Sequence, residues 1–318
     1  MEKKLEKNQL PHIPVLLSEV VQWMNLNPQS VVVDATIGLG GHSAEILKNI
    51  PHGKLIGLDQ DEEALDYTFK KFLGDTRVML FKSNFSNLVT ILNKISIQWV
   101  DAVLMDIGIS SFQLDFENRG FSFNKSQPLD MRMDQSMERS AEEVVNEYSF
   151  EQLEEIFRNY GEEPHARAIA YRITQARKVK RITQTNELAQ LIRDYYLKKF
   201  GNTKHRKDPA TLIFQAIRIE VNQELKSLQK GLDASLQVLR SQGRLLVISF
   251  QSLEDRIVKQ FFKTESKDCI CPSHMPQCIC HHRAYLEILT KKPVSPTYEE
   301  IKNNSRARSA RLRVAQKL

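Results

Sequence analysis

The sequence lacks the features that mark secreted and membrane proteins. Only four of its 318 residues are cysteines, and all four lie between positions 269 and 280. This crowding argues against a disulfide framework spread over the fold. No apolar run approaches the roughly 18 residues that a membrane helix needs. The charged residues 1–7 are followed by no apolar segment, so we expect no signal peptide, no membrane contact and a cytoplasmic protein.

A strong excess of one charge is also missing. The chain has 45 Lys and Arg residues against 39 Asp and Glu residues, which gives a net charge of +6 and an isoelectric point near 9.0. This mildly basic balance is compatible with a polyanionic partner but does not require one. The hydrophobic content of 41% is enough for the core of one large or two modest domains.

One stretch near the N-terminus has the pattern of a strand, a turn and a helix. Three valines, Val31–Val33, predict a buried strand, which Asp34 ends. A glycine-rich turn, 38–41, follows, and a helix is predicted over Ser43–Ile50. A second acid, Asp59, ends the next strand-like run and comes 19 residues after Gly40. This is the opening of a doubly wound α/β sheet, in which such an acid binds ribose hydroxyls.

The glycine turn is not the form found in dehydrogenases. That form is G-x-G-x-x-G, and here Ser43 stands where the third glycine should be, after Gly38 and Gly40. An acid directly before the glycines, Asp34, suits a positively charged cofactor such as the sulfonium of S-adenosylmethionine. The alternative is a tight turn in some other α/β protein.

Two further strand-like runs, 77–81 and 100–106, are followed by candidate binding residues. Phe85 comes shortly after the first run, where it either stacks on an adenine or packs in the core. Asp106 ends the second run. Ligands in open α/β sheets bind beyond the carboxyl ends of the strands. We therefore expect these residues to converge with the acids at the two earlier strand ends.

The next strand-like run, 243–250, is far along the chain. A helical insertion explains the gap better than a giant loop. We predict a sheet domain of residues 1–115 plus 209–318 and an inserted helical RNA-binding domain of residues 116–208. One long helix, Thr211–Leu239, is predicted to return the chain to the sheet.

The insertion changes the sign of its charge along the chain. Residues 165–207 contain 12 Lys and Arg residues and 2 acids, with the densest cluster at 177–181. A solvated helix face is the usual meaning of such a run, but the interleaved tyrosines favour contact with phosphate. The tail, 302–317, has six basic residues and no acid, which makes it a second candidate for phosphate contact.

The cysteines form two C-x-C pairs, Cys269 with Cys271 and Cys278 with Cys280. Such pairs either wrap a tetrahedral zinc ion or form a thiol-rich hairpin without metal. The spacing is shorter than in common zinc ribbons, so both alternatives stay open. No metal ligand is assigned to the active site.

Eight ordered motifs resemble a known family, the MraW-type small-subunit ribosomal RNA (cytosine-N4)-methyltransferases, over nearly the whole chain. These motifs are HIPVLL (12–17), DATIGLGGH (34–42), DIGISS (106–111), RGFSF (119–123), PLDMRMD (128–134), FQAIR (214–218), SLEDR (252–256) and RARS (306–309). The resemblance implies a class I S-adenosylmethionine-dependent methyltransferase, a Rossmann-like sheet with an inserted helical domain. The implied reaction transfers methyl to the N4 amine of a cytidine in the decoding region of 16S ribosomal RNA. The implied partner is small-subunit ribosomal RNA or the assembled subunit.

Matched position by position, the resemblance implies a set of contacts with S-adenosylmethionine. These residues are Gly40, Gly41, His42, Asp59, Phe85, Asp106 and Gln113. The chain departs from the family at two positions, since relatives often have Pro where this chain has Phe112 and His where it has Gln251. No role is therefore assigned to position 251.

Asp106 is the candidate catalytic residue. The lone pair of the cytosine amine is delocalised into the ring, so a residue that accepts hydrogen bonds from the amine makes it a better nucleophile. Many amino methyltransferases carry Asp/Asn-Pro-Pro-aromatic after the fourth strand, whereas this chain keeps only the acid. Asp106 thus either accepts from the target amine or holds the cofactor. The rival functions are a nicotinamide oxidoreductase and a non-catalytic RNA-binding assembly factor.

Overall fold

The computed structural model describes residues 13–108, 119–123, 125–201, 208–272, 275 and 277–318. The chain divides into two compact units, residues 1–108 with 228–318, and residues 109–227. The domain boundaries predicted at 116 and 208, and the RNA-binding role of the insertion, remain predictions. Among the described residues, no helix is both long and apolar enough to cross a membrane.

Seven strands form one sheet in the first unit. They are β1 (Val31–Asp34), β2 (Lys54–Asp59), β3 (Val78–Lys82), β4 (Val100–Asp106), β5 (Leu239–Ser249), β6 (Leu286–Ile288) and β7 (Arg311–Lys317). The order is β3-β2-β1-β4-β5-β7-β6. Strands β1 to β5 pair in parallel, and β7 is antiparallel to both β5 and β6. This sheet confirms the predicted Rossmann-like class.

The helices surround this sheet in the first unit and form the second unit. In chain order they are α1 (Leu17–Met24), α2 (Gly41–Asn49), α3 (Glu62–Lys71), α4 (Leu88–Lys94), α5 (Ala141–Glu147), α6 (Phe150–Asn159), α7 (Ala166–Val179), α8 (Thr185–Phe200), α9 (Ala210–Asn222), α10 (Glu224–Val238), α11 (Ser252–Glu265) and α12 (Tyr298–Asn303). The central strands are covered on both faces, which explains their runs of apolar residues, such as Val103 and Leu104 at 0% exposure.

The strand order reverses between β1 and β4. From β1 the chain moves to β2 and β3 on one side, and then crosses to β4 on the other side. Ligands in open α/β sheets bind in the crevice at such a reversal, outside the carboxyl ends of the strands. Asp34 and Asp106 end these two strands, so the topology places both acids at the expected crevice.

Part of the basic tail belongs to the sheet, and its contact with phosphate remains a prediction. Its residues Arg311–Lys317 form β7, next to β5 in the sheet. Arg313 is only 7% exposed and donates from Nε to the Oδ1 atom of Asp255 over 2.6 Å. Arg311 donates to Oδ2 of the same carboxylate over 3.0 Å. These two arginines therefore hold the end of the chain in the sheet.

The helix predicted over Thr211–Leu239 is wrong in one respect, because two helices occupy that range. Gln223 separates α9 from α10 with a φ of 50°, in the left-handed region that stops an α-helix. Arg218 and Glu224 form a buried ion pair across the break, at 2.7 Å. The side chain of Asn222 also bonds the backbone of Met131 and Met133. The polar side chains at this break therefore form hydrogen bonds and an ion pair inside the second unit.

The second unit has its own hydrophobic core, built from α5 to α9. Leu153, Phe157, Ile169 and Ile217 are among its fully buried members. Helix α5 begins with a capping box, in which Ser140 accepts from the backbone at the N-terminus and the Glu143 carboxylate accepts from the backbone N–H of Ser140. These signals explain why the segment without strand patterning folds as helices.

Candidate active site

The turn after β1 is held together by the carboxylate of Asp34. Its Oδ2 atom accepts from the Ser43 hydroxyl over 2.6 Å, and its Oδ1 atom accepts from the Thr36 backbone over 3.3 Å. The side chain is 2% exposed, and burial raises its pKa, although the Ser43 hydrogen bond opposes this rise. Asp34 therefore fixes the geometry of the glycine turn.

The glycines of the turn serve different purposes. Gly40 has a φ of 65°, and a side chain there would lie 2.7 Å from the Phe72 ring. At Gly41 a side chain would lie 2.4 Å from Pro14. Both glycines thus allow close packing within the protein. A side chain at Gly38, by contrast, would meet only the Thr36 carbonyl at 3.9 Å, so this is the glycine that leaves open space beside the turn.

Helix α2 begins at Gly41, directly after this turn. The first N–H groups of a helix have no partner inside the helix and carry partial positive charge. A carboxylate of a ligand in the crevice is the kind of group that such an N-terminus binds. The Gly40 N–H already donates to the Ile37 carbonyl over 2.7 Å, so Gly41 is the glycine at the start of the helix, and the predicted contacts of both glycines with the cofactor remain predictions.

Asp59 lies at the end of β2 and binds the same turn. Its Oδ2 atom accepts from the Gly38 backbone over 2.8 Å, and its Oδ1 atom accepts from the Asp61 backbone over 2.9 Å. Burial raises the pKa of Asp59 to about 6. A carboxylate has four lone pairs, and three backbone groups, those of Gly38, Asp61 and Gln60, donate to this one, so acceptor capacity remains for a ribose hydroxyl. The predicted ribose contact is chemically available.

Asp106 ends β4 with one oxygen that has no partner. Its backbone N–H donates to the Thr36 hydroxyl over 2.7 Å, which fixes the end of the strand against the turn. Its Oδ1 atom is buried and accepts no hydrogen bond from the described residues. Burial raises the pKa of Asp106 to about 6, where the charge of Asp34 adds to the rise and His42 opposes it. An unpaired buried acceptor costs free energy and indicates a site for a donor.

The ring of His42 lies beside Asp106, in an orientation that the structure defines. Its Nε2 atom is 2.9 Å from the Val15 carbonyl oxygen, and since a carbonyl only accepts, this nitrogen carries the hydrogen. The Nδ1 atom therefore faces the Asp106 Oδ2 atom, at 3.8 Å. Sequence reasoning assigned both residues to the cofactor but did not predict that they form a pair.

Phe85 lies in the core of the first unit rather than on an open surface. It is 8% exposed, and a side chain at Gly231 would lie 2.4 Å from its ring. This position favours the packing alternative, while contact with adenine remains a prediction. Gln113 lies outside the described residues, as do Phe112 and the end of the DIGISS motif.

Gln251 follows β5, the strand next to β4, and caps the N-terminus of α11. Its side chain and that of Glu254 form a capping box, in which the Glu254 carboxylate accepts from the Gln251 backbone N–H over 3.2 Å. Sequence reasoning gave position 251 no role because relatives often have His there, and the structure shows this capping role.

The basic cluster of the second unit is largely engaged within the protein. Arg177 donates to the carbonyl oxygens of Val145 and Tyr148, at 2.8 and 2.5 Å. Lys180 pairs with Glu187 over 2.5 Å. Arg181 likewise donates to the carboxylates of two glutamates in α5, Glu142 and Glu147. Of the four predicted phosphate-binding cations, Lys178 is the exposed one with the weakest contact, 3.5 Å to Gln175.

A cavity of about 750 Å³ lies beside this cluster and was not predicted. Tyr171 is 58% exposed at its edge, and Lys178 and Arg177 line it together with Phe150 and Arg167. Arg167 lies over the Phe150 ring at 5.4 Å and is 77% exposed. An exposed aromatic ring among cations is the combination that binds single-stranded nucleic acid.

The class of protein follows from the fold together with this crevice. A parallel sheet with an antiparallel β7, a glycine turn and acids at three strand ends is the class I fold of S-adenosylmethionine-dependent methyltransferases. The remaining acceptor capacity of Asp59 fits a ligand with ribose hydroxyls, and S-adenosylmethionine, the cofactor of this class, carries them.

Comparison with known sequences gives the family. The model of the MraW methylase family matches residues 9–318, and the chain belongs to this family. "Ribosomal RNA small subunit methyltransferase H" of Caldicellulosiruptor saccharolyticus is 48% identical over 96% of this chain and 99% of its own length. The protein of the same name from Carboxydothermus hydrogenoformans is 48% identical over 96% and 98%. The predicted family is thus confirmed.

Solved structures resemble the chain more weakly. An rRNA methylase from Streptococcus thermophilus is 13% identical, with a TM-score of 0.41 over 98% of this chain and 99% of that one. A likeness of this size supports no conclusion about function. The assignment to the family rests on the family model and the curated relatives.

Proposed function

We propose that this protein transfers a methyl group from S-adenosylmethionine to the N4 amine of a cytidine in the decoding region of 16S ribosomal RNA. The names of the relatives support ribosomal RNA of the small subunit as the substrate. The choice of cytidine and of its amine comes from the family resemblance. The intact acids of the crevice argue against an assembly factor without catalytic activity, and the broken glycine motif argues against a nicotinamide oxidoreductase.

The proposal rests on the buried Oδ1 atom of Asp106, which has no hydrogen-bond partner within the described part of the chain. We assign this oxygen the role of accepting a hydrogen bond from the target amine. Such an acceptor leaves the nitrogen lone pair less delocalised into the ring and orients it for attack. Because Asp106 ends β4 at the reversal of the strand order, its carboxylate lies where a ligand of this fold binds. A contact of the same side chain with the cofactor is compatible with this role.

Asp106 and His42 together provide a place for the proton that the amine loses. The His42 Nδ1 atom faces the Asp106 Oδ2 atom at 3.8 Å, and the hydrogen on Nε2 is committed to the Val15 carbonyl. The proton leaves the amine for the Oδ1 atom of the Asp106 carboxylate, while His42 lies beside the other oxygen of the same carboxylate. Because the pKa of Asp106 is raised to about 6, we expect methyl transfer to fall as the pH drops below this value.

S-adenosylmethionine, when bound, supplies an electrophilic methyl group on its sulfonium. In the proposed site Asp59 accepts from the ribose hydroxyls, and the backbone at Gly40 and Gly41 faces the cofactor at the start of α2. His42 positions Asp106, and contacts of Phe85 and Gln113 with the cofactor complete the predicted set.

The RNA is proposed to contact the exposed face of α7 in the second unit. Tyr171 offers a ring for stacking on a base, and Lys178 and Arg167 offer charge for phosphates. A base inside a helix is unreachable, so the target cytidine is single-stranded or flipped out of its helix. We propose either free small-subunit RNA or the assembled subunit as the partner, in the cytoplasm.

The experiment is methyl transfer in vitro. Purified protein is incubated with S-adenosylmethionine labelled in its methyl group and with small ribosomal subunits from cells that lack this protein, and the RNA is digested to nucleosides. We expect the label in N4-methylcytidine, and parallel reactions with naked RNA identify the preferred substrate. Label at carbon 5 or on a ribose oxygen contradicts the amine mechanism, and an unlabelled RNA contradicts the proposed substrate. The matched control is Asp233→Asn, an acid on α10 outside the proposed site.

A further inference from the structure

All four cysteines of the chain meet at one place in the first unit, between α11 and β6. The Sγ atoms of Cys269 and Cys278 are 3.5 Å apart, those of Cys278 and Cys280 3.6 Å, and those of Cys280 and Cys269 3.8 Å. With Cys271 included, all four sulfur atoms lie within 4.8 Å of one another. No disulfide joins them, since all four are free thiols.

These separations match a tetrahedral metal site better than a disulfide. A zinc ion bound by four thiolates at about 2.3 Å holds its sulfur atoms roughly 3.8 Å apart, from tetrahedral geometry. A disulfide needs sulfur atoms about 2.05 Å apart. The three measured separations, 3.5 to 3.8 Å, therefore lie near the edges of a zinc tetrahedron.

The segment that carries the cysteines is closed at its base by hydrogen bonds. The Tyr285 N–H donates to the Glu265 carbonyl over 2.8 Å, at the end of α11. The His282 Nδ1–H donates to the Lys267 carbonyl over 2.8 Å. The Ile270 N–H points at the Cys280 sulfur atom over 3.5 Å, which is the kind of backbone contact that stabilises a thiolate. The two C-x-C pairs are thus brought together by their surroundings.

Among its described residues, this segment buries little apolar surface. The two residues between the paired cysteines, Ile270 and Ile279, are 47% and 64% exposed. Small elements that bury little apolar surface are usually stabilised by a disulfide or a metal. In the reduced state, a metal is the remaining means of fixing the four thiols.

We propose that Cys269, Cys271, Cys278 and Cys280 bind one zinc ion. Thiolate ligands in a tetrahedral arrangement select zinc or iron over magnesium and calcium. All four coordination positions are filled by protein sulfur, so the site is closed and its role is structural. The ion joins the end of α11 to the approach to β6 and holds the edge of the sheet in place.

The first test is metal content. Full-length protein purified without chelator is analysed by elemental mass spectrometry, with an expected value of about one zinc per chain. The Cys271→Ser, Cys278→Ser double variant removes one ligand from each pair and should reduce zinc at least tenfold. His281→Ala is the matched control, and it should keep its zinc because no histidine is a ligand. The proposal is overturned if wild-type protein contains no metal while all four thiols are reduced and titratable. It is also overturned if the protein contains stoichiometric iron instead of zinc.

The second test does not depend on the folding of a variant. Zinc is stripped from wild-type protein with a mercurial reagent and chelator, and the thiols are then restored by reductant. Cobalt is added, and we expect the visible absorption of a tetrahedral cobalt thiolate, which added zinc displaces. Tryptic cleavage after Lys267 and Arg283 should be roughly tenfold faster without metal, because the segment opens. Cleavage at the same rate with and without zinc, or no cobalt spectrum, contradicts a structural site.

Discussion

Replacing Asp106 by Asn should make the protein without ligands more stable at neutral pH while it abolishes methyl transfer. The carboxylate is held among buried groups with one oxygen unpaired, and burial raises its pKa to about 6. A carboxyl group with a raised pKa in the folded state favours folding when it is protonated. This contribution is complete below the unfolded pKa and is lost as the pH rises through about 6. Asn stays neutral at every pH, so the variant avoids that loss.

The size of the effect follows from the shift in the pKa of Asp106. A rise from 3.8 to about 6 corresponds to about 3 kcal/mol above pH 6. The Asp106 side chain is 22% exposed, so water screens part of the cost of ionising it in the folded state. The quantity to compare is the free energy of unfolding of Asp106→Asn minus that of wild type. We expect this difference to be about 1 to 2 kcal/mol larger at about pH 7.5 than at about pH 4.

Urea unfolding of wild type and variant at a series of pH values measures this difference. The control is Asp255→Asn, for which the stability difference from wild type should change with pH in the opposite direction. Burial raises the pKa of Asp255, but the hydrogen bonds and charges of Arg313 and Arg311 outweigh this effect and leave the pKa below its ordinary value. The ion pairs of Asp255 with Arg313 and Arg311 should stabilise wild type at neutral pH, and this stabilisation should decrease in acid. A flat difference between wild type and Asp106→Asn across this pH range refutes the reasoning about Asp106.

Three other changes give independent tests. Asp59→Ala should weaken the binding of S-adenosylmethionine by about 1.5–3 kcal/mol in calorimetry, because hydrogen bonds to the ribose are lost, and an unchanged affinity contradicts the ribose contact. Lys178→Ala should lower the log–log salt slope of RNA binding by about 0.7–0.9, whereas Arg177→Ala should mainly lower the melting temperature, and an unaltered slope for Lys178→Ala means that this lysine is only solvated. Ser96→Gly should raise the free energy of unfolding by about 0.5–1 kcal/mol, because Ser96 ends α4 with a φ of 55°, and a loss of stability contradicts this.

The sequence predicts the parallel strands well because they are buried on both faces. Val31–Val33 and the β4 segment are short apolar runs that end in an acid, and such runs are typical of strands buried on both faces. By contrast, β7 escaped prediction because Arg311 and Arg313 alternate with Leu312 and Val314, so charge concealed a strand pattern. The ion partner of Arg313 is Asp255, 58 positions away, which no local pattern indicates.

The roles of the predicted site residues remain predictions, and the pairing of two of them was not predicted. His42 and Asp106 were each assigned to the cofactor, yet their pairing depends on the adjacency of β1 and β4 in the sheet. The basic run of the second unit favoured contact with RNA, which remains a prediction, and Arg177 and Arg181 are engaged in contacts with α5 and its neighbours. Local sequence reports charge, whereas the partners of a charge are set by tertiary structure.

The most direct test of the central claim is nucleoside mass spectrometry of 16S ribosomal RNA from cells. Cells that lack this protein should lack N4-methylcytidine at the decoding region, and expression of the chain should restore it. Asp106→Asn should bind S-adenosylmethionine, fold with at least wild-type stability and leave the mark absent. If the mark persists in the deletion strain, or if Asp106→Asn restores it at the wild-type level, then the assignment of this amine and of its acceptor is contradicted.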